Sequence, residues 1–329
     1  MERTACHIEP GRSLDSGVTR VKLAESLGYE SVWLSHIAAR EPLQVINHYS
    51  HHTSRIRFGT GVVPIFLRHP ALMAQEAATL DEVTGGRFTL GIGTSHKITV
   101  EGWYGLRLDD PVGRMREYTT ILREIFTKGG VSFSGTHYTA NFNFLGYAAR
   151  TTFKIYWAAM GPRMLEAAAE LADGVVLWMC SPTHIRTTIR PTLEKALANR
   201  GRSLEDFDIV AEIPCAVTEN VEAGRDAFRT AAMPYVQLPF YRKEIQQVHP
   251  EALAAFDDHL ASGDLPGALQ ALPPEFVDDF AGIGDAGAVR RKVEEYREAG
   301  ATLPVVGQLP PHEGSKGAEA LLEAAAPAR

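Results

Sequence analysis

Short apolar runs alternate with longer amphipathic stretches along nearly the whole chain, and this alternation leaves few folds open. Runs of strand length occupy Thr4–Ile8, Ser31–Leu34, Ile56–Val63, Phe88–Ile92, Ile155–Ala158, Val175–Trp178, Phe207–Val217 and Thr302–Val306. Between them apolar residues recur at helical spacing over Leu14–Leu27, Pro42–His52, Pro70–Val83, Val112–Thr127, 162–172, Thr183–Asn199, Val221–Met233 and Ala286–Ala299, and Lys316–Ala325 closes the chain. Parallel strands need crossovers of about this length, so the pattern reads as repeated β-α units. No G-x-G-x-x-G follows the first strand, which disfavours a Rossmann arrangement. Eight strands in β-α units of ordinary size predict an α/β fold, a (β/α)8 TIM barrel with insertions, whose active site lies at the carboxyl ends of the strands. The chain 1–329 reads as one barrel domain. Val131–Thr139 reads as a small surface hairpin, and 234–282, which carries Pro239, Pro250, Pro266, Pro273 and Pro274 beyond its first residue, reads as an insertion or lid.

Composition narrows the function. Hydrophobic residues make up 45% of 329 and charged residues 22%, enough for a large core and too ordered a mix for a disordered chain. The net charge of −7 disfavours broad binding to nucleic acid or an anionic membrane. Cys6, Cys180 and Cys215 form no C-x-x-C, which suits a reducing compartment and offers no zinc signature. No apolar run approaches membrane-spanning length, and MERTACHIEPGRS lacks the core of a signal peptide. The expectation is a soluble cytoplasmic protein acting on a small molecule.

Candidate chemistry clusters at the expected strand ends. In Ile155–Trp178 a strand runs through Ala159-Met160-Gly161 into a helix opened by Pro162, whose missing N–H costs nothing at that position. No large side chain blocks the helix N-terminus, so the turn is either an ordinary connection or a phosphate cradle. His36 follows the second strand and could donate, accept or relay a proton, or could simply cap a loop. Gly59-Thr60-Gly61-Val62 places glycines inside a strand, either to make room for a bulky neighbour or to let a flat ring approach the backbone. Gly91-Ile92-Gly93-Thr94-Ser95 offers small and hydroxyl groups, without the flanking pattern of a nucleophile elbow. His7 and Glu9 share a face at the end of the first strand. His48, His51 and His52 lack a completing carboxylate motif, so no metal is expected. No strand ends in lysine, which disfavours a Schiff-base aldolase.

Five stretches together resemble the bacterial-luciferase-like superfamily of flavin and deazaflavin oxidoreductases. They are 24–36, 55–95, 114–126, 155–177 and 283–306. The resemblance implies a cofactor ring over the barrel mouth, against a bulge with a non-prolyl cis peptide at Gly61-Val62. It implies a cofactor phosphate on the backbone of Ala159, Met160 and Gly161. The run Ala158–Leu165 looks more like the branch that uses coenzyme F420. That branch commonly has Asp-His where this chain has Ser35-His36, and Gly-Thr-Gly-Glu where it has Gly93-Thr94-Ser95-His96. By likeness, His36 is the catalytic group and Ser35, Gly61, Val62, Gly93, Thr94, Ala158, Ala159, Met160 and Gly161 hold the cofactor. Glu9 and Trp178 are carried over as substrate contacts, and the missing acid means that sugar-phosphate and secondary-alcohol substrates do not transfer. The implied activity is F420-dependent hydride transfer to or from a small organic substrate, in a homodimer. The alternatives are an FMN-dependent monooxygenase served by a separate reductase, and a non-catalytic flavin- or F420-binding protein.

Overall fold

The computed structural model describes residues 2–150, 153–309 and 314–328. Eight parallel strands close on themselves: β1 (Ala5–His7), β2 (Ser31–Leu34), β3 (Arg57–Thr60), β4 (Phe88–Gly93), β5 (Ile155–Ala158), β6 (Gly174–Leu177), β7 (Asp208–Val217) and β8 (Leu303–Gln308). Each pairs with the next in chain order, and β8 returns to β1 with Ala5 opposite Val305. The fold is therefore the expected (β/α)8 barrel.

Alternation along the strands sorts the core into two layers. Ala5, Trp33, Tyr156, Val176, Val210, Leu303 and Val305 point inward and plug the barrel axis, and Val62 packs on them. The outward residues form the larger core beneath the helices. Those helices are α1 (Leu14–Leu27), α2 (Pro42–Ser50), α3 (Pro70–Val83), α4 (Pro111–Lys128), α5 (Pro162–Leu171), α6 (Arg190–Ala198) and α7 (Val221–Gln237). They continue with α8 (Pro239–Val248), α9 (Pro250–Ala261), α10 (Leu265–Gln270), α11 (Pro274–Phe280), α12 (Ala286–Ala299) and α13 (Gly314–Ala324). Local signals set several ends: the Ser13 hydroxyl caps α1, and Gly28 stops it in the left-handed region at φ 92°.

The expected strand Ile56–Val63 is broken. β3 stops at Thr60, and Val63-Pro64 pairs instead with β4, opposite Ile92 and Gly93. Between the two lies the Gly61-Val62 bulge, whose peptide is cis. α7 runs on through Pro234 to Gln237 rather than ending at Met233. Val236 is fully buried and Tyr235 packs against Trp178 and Tyr241, contacts that outweigh one missing backbone donor. The proline-rich segment forms α8–α11. Gly282–Gly284 then adds a short strand beside the end of β7, too brief and glycine-rich to show a period. The stretch Thr183–Asn199 is interrupted by a π-helical turn at Ile185–Ile189, and another such turn, Ile98–Trp103, lies in the expected loop after β4. The hairpin spans Gly130–Ser134 and Thr139–Asn143. Among the described residues no helix is long and apolar enough to cross a membrane.

Candidate active site

The mouth of the barrel is organised around the Gly61-Val62 bulge, which three hydrogen bonds from β2 and its following loop hold. The Gly61 N–H donates to Leu34 O at 2.8 Å, the Ser35 hydroxyl donates to Gly61 O at 2.9 Å, and the His36 N–H donates to Val62 O at 3.4 Å. Ser35 thus spends its hydroxyl on the bulge itself. The two glycines of this run have different tasks. A Cβ on Gly59 would lie 2.7 Å from the Trp33 ring, so Gly59 makes room for a bulky neighbour. A Cβ on Gly61 would make ordinary contact with Trp33 at 3.5 Å and Val176 at 3.7 Å, so no clash there demands a glycine. Gly93 supports the same surface from β4: a Cβ would sit 2.7 Å from Val62 and 2.9 Å from Ala158.

The His36 ring lies beside this surface and is largely buried, at 15% side-chain exposure. Burial holds its pKa below the ordinary range, the Arg68 charge adds to this, and Glu41 opposes both more weakly. The ring is therefore neutral at neutral pH. Its Nδ1 is 4.0 Å from Glu41, too far for a hydrogen bond, and has no hydrogen-bond partner. Arg68 is occupied by Glu41 at 2.9 Å and Glu76 at 2.8 Å. A buried ring nitrogen without a protein partner is a position that a polar group of a bound molecule can satisfy.

β5 ends at Ala158, Ala159 and Met160 are buried, and Gly161 caps α5 with no side-chain acceptor over the first turn. Gly161 has extended backbone, φ −75° and ψ 148°, and its nearest neighbour outside the turn is the Phe240 ring from α8, 3.2 Å from where a Cβ would stand. Arg163, exposed in that first turn, adds positive charge to the helix dipole. Small residues, open backbone donors and a cation suit a phosphate here.

The other side of the mouth is aromatic. Trp178, just past β6, packs on Tyr235, which packs on Tyr241, their ring centroids 5.6 and 5.3 Å apart. His96 joins them with Nε2 3.3 Å from the Tyr241 oxygen, and burial keeps its pKa low. Ser95 before it holds φ 58°, the left-handed region that favours glycine. A third group, His7, lies between two carboxylates, with Nδ1 2.8 Å from Glu212 and Nε2 3.1 Å from Glu9. Burial alone would lower its pKa, but the charges of Glu212 and then Glu9 push it up to about 10.

The structure thus brings together at one barrel mouth the residues singled out from the sequence: Glu9, Ser35, His36, Gly61, Val62, Gly93, Thr94, Ala158–Gly161 and Trp178. Residues that sequence reasoning missed include Glu212, Tyr235, Phe240 and Tyr241. Glu212 had a signal, as an acid in the middle of a largely apolar strand, two residues from inward-facing Val210. The aromatics of α7 and α8 had none. His48 and His52 stay apart from the site, their rings 5.0 Å from one another, and His48 lies 3.6 Å from Asp15. Among the described residues no group of three or more His, Cys, Asp or Glu could hold a metal ion.

Comparison with known proteins defines the class. The model of the luciferase-like monooxygenase family matches residues 1–303, and the chain belongs to that family. It is 30% identical over 294 residues to 5,10-methylenetetrahydromethanopterin reductase of Archaeoglobus fulgidus, covering 87% of each chain. It is also 30% identical over 312 residues to a Mycobacterium tuberculosis protein provisionally named a coenzyme F420-dependent oxidoreductase, covering 87% of this chain and 88% of that one. Among solved structures, the coenzyme F420-dependent tetrahydromethanopterin reductase of Methanopyrus kandleri superposes with a TM-score of 0.81 at 25% identity over 98% of both chains.

Proposed function

We propose that this protein is an F420-dependent oxidoreductase that moves a hydride between the deazaflavin C5 and a small organic substrate. The observation that carries the reading is the neutral, largely buried His36, its Nδ1 without a hydrogen-bond partner, next to the Gly61-Val62 bulge in the same mouth as the uncapped N-terminus of α5. The F420-dependent relatives support deazaflavin over FMN.

Bound F420 supplies the hydride chemistry, and the protein supplies binding, orientation and proton handling. In this reading Gly61, Val62 and Gly93 form the floor for the ring, held by Ser35. Ala159–Gly161 and the first turn of α5 hold the phosphate. His36, being neutral, can either donate or accept a hydrogen bond beside the reactive face. Trp178, Tyr235, Tyr241 and His96 wall the substrate side, and the proposal includes α8 covering the mouth as part of a 234–282 insertion in a single 1–329 barrel domain. The homodimer belongs to the same proposal, and light scattering tests it.

The direct test is a parallel fluorescence titration with F420, reduced F420 and FMN, followed by a substrate panel that includes methylenetetrahydromethanopterin and simple alcohols. Tight F420 binding with cofactor turnover on a panel member supports the proposal. Preference for FMN returns the alternative of a monooxygenase with a separate reductase. Tight binding without turnover on any member favours the non-catalytic reading.

A further inference from the structure

Below the apolar plug, the inward-facing layer of the barrel is polar and carries charge. Side chains alternate along a strand, so the residue two before an inward one faces the interior nearer the amino end. Arg3 stands two before Ala5, Ser31 two before Trp33, Lys154 two before Tyr156 and Asp208 two before Val210. Arg57 begins β3 opposite Ser31. These residues line a cavity of about 380 Å³ at the base of the barrel, at the opposite end from the mouth, with Phe58, Thr89 and Leu303 also in its wall.

A base that serves only stability pairs its charges, and part of this one does. Arg3 donates to both Glu30 oxygens, at 2.7 and 2.9 Å, and to Asp208. Asp208 also accepts from the hydroxyls of Tyr156 and Thr302. Arg150, at the rim, makes two bonds to Asp81, at 2.8 and 2.7 Å. The two carboxylates in the lining, Glu30 and Asp208, are therefore spent.

Two cations are not. Arg57 is half-buried and has no hydrogen bond or ion pair among the described residues. Its charge bears instead on Arg87, a second cation. Lys154 approaches only Asp208, at 3.6 Å, beyond hydrogen-bond reach. Between them on β4 lies Thr89, buried, its hydroxyl without a hydrogen bond among the described residues. Thr89 stands opposite Gly59 of β3, and Leu90 beside it stands opposite Ile155 of β5. Arg57, Thr89 and Lys154 thus face one cavity from three adjacent strands, spaced about 4.8 Å apart. In a chain of net charge −7, this is a local excess of positive charge with donors to spare.

We propose that the basal cavity binds a small phosphate monoester, its phosphate held by Arg57, Lys154 and the Thr89 hydroxyl. Two unspent positive charges match a phosphate monoester, which carries about −1.5 to −2 near neutral pH. A guanidinium fork and an ammonium both suit its oxygens. The volume falls in the range of small-molecule sites, about 300–1,000 Å³, so an organic group has room beside the phosphate, against Trp33, Tyr156 and Leu303.

The test uses the full chain without cofactor, labelled with 15N-tryptophan, and glycerol phosphate as the probe. Trp33 is the reporter: its indole N–H donates to Ser31 Oγ at 3.0 Å, and both residues line the cavity. Its resonance is identified by its loss in Trp33→Phe. Glycerol phosphate at millimolar concentration should shift the Trp33 signal saturably, and acetate at matched ionic strength should not. Arg57→Gln and Lys154→Gln remove no hydrogen bond of the fold, and each should weaken binding by about tenfold or more. Absence of a Trp33 shift overturns the proposal, as does an equal shift with acetate or parent-like affinity in both variants. A shift of Trp178 without one of Trp33 locates the phosphate at the mouth and overturns it as well.

Discussion

Gly161→Val tests the phosphate cradle with little disturbance of the fold. Gly161 sits at φ −75° and ψ 148°, extended backbone that valine adopts readily, so no backbone strain is introduced. The new Cβ would stand 3.2 Å from the Phe240 ring, which is 46% exposed and can give by a few tenths of an ångström. The loss of glycine at an N-cap costs about 1 kcal/mol or less. The branched side chain would cover the first-turn donors. Hydrogen bonds to a charged group are worth about 1.5–3 kcal/mol each, and the helix dipole adds about 0.5–1 kcal/mol. Losing one such bond and part of the dipole term is about 2–4 kcal/mol, or about thirtyfold to a thousandfold in Kd. F420 fluorescence titration reads the affinity, and urea unfolding reads the fold. A folded variant that binds F420 within threefold of the parent would refute the cradle.

Three further outcomes follow from the geometry. Gly59→Ala should cost about 1–3 kcal/mol by overpacking against Trp33, whereas Gly61→Ala, with no neighbour closer than 3.5 Å, should leave stability nearly unchanged and weaken F420 binding; urea midpoints and fluorescence titrations separate the two. Ser35→Ala removes the 2.9 Å bond to Gly61 O and should destabilise by about 1 kcal/mol, read from the same urea midpoints. At the base of the barrel Asp208 is buried, which by itself would raise its pKa, but hydrogen bonds from Arg3 and Tyr156 bring it down from 3.8 to about 2. Because the folded value lies below the unfolded one, the contribution is full above about pH 4 and drains as pH falls toward 2. It amounts to about 2–3 kcal/mol at neutral pH. The stability difference between the parent and Asp208→Asn should therefore shrink as pH falls from 5 to 2, and a difference independent of pH would refute the assignment.

Much of the barrel is legible in the sequence because its signals are local. The strands follow from short apolar runs, most of them four or five residues long, and the helices from spacing and from punctuation such as Ser13 before α1, Gly28 after it and Pro162 opening α5. The inward–outward sorting of Ala5, Trp33 and Val210 follows from a period of two. Where a local rule competes with packing, the reading fails: α7 passes Pro234 because Tyr235 and Val236 find partners on other elements. The short strand Gly282–Gly284 carries too little pattern to be seen, and its partner, the end of β7, lies some 65 residues earlier.

The candidate site divides along the same line. The sequence by itself determined which strand ends carry polar and small residues, and therefore Glu9, His36, Gly61-Val62, Gly93-Thr94 and Ala158–Gly161. Tertiary structure alone decided that Gly59 serves Trp33 while Gly61 is free of such a clash, that Ser35 holds the bulge, and that His36 is neutral. It also decided that His7 meets Glu212 across a gap left by Gly307. These are relations among residues far apart in the chain, set by barrel closure, by burial and by the charges each group faces. No local pattern encodes them, because the fields and gaps arise only once β8 has paired with β1.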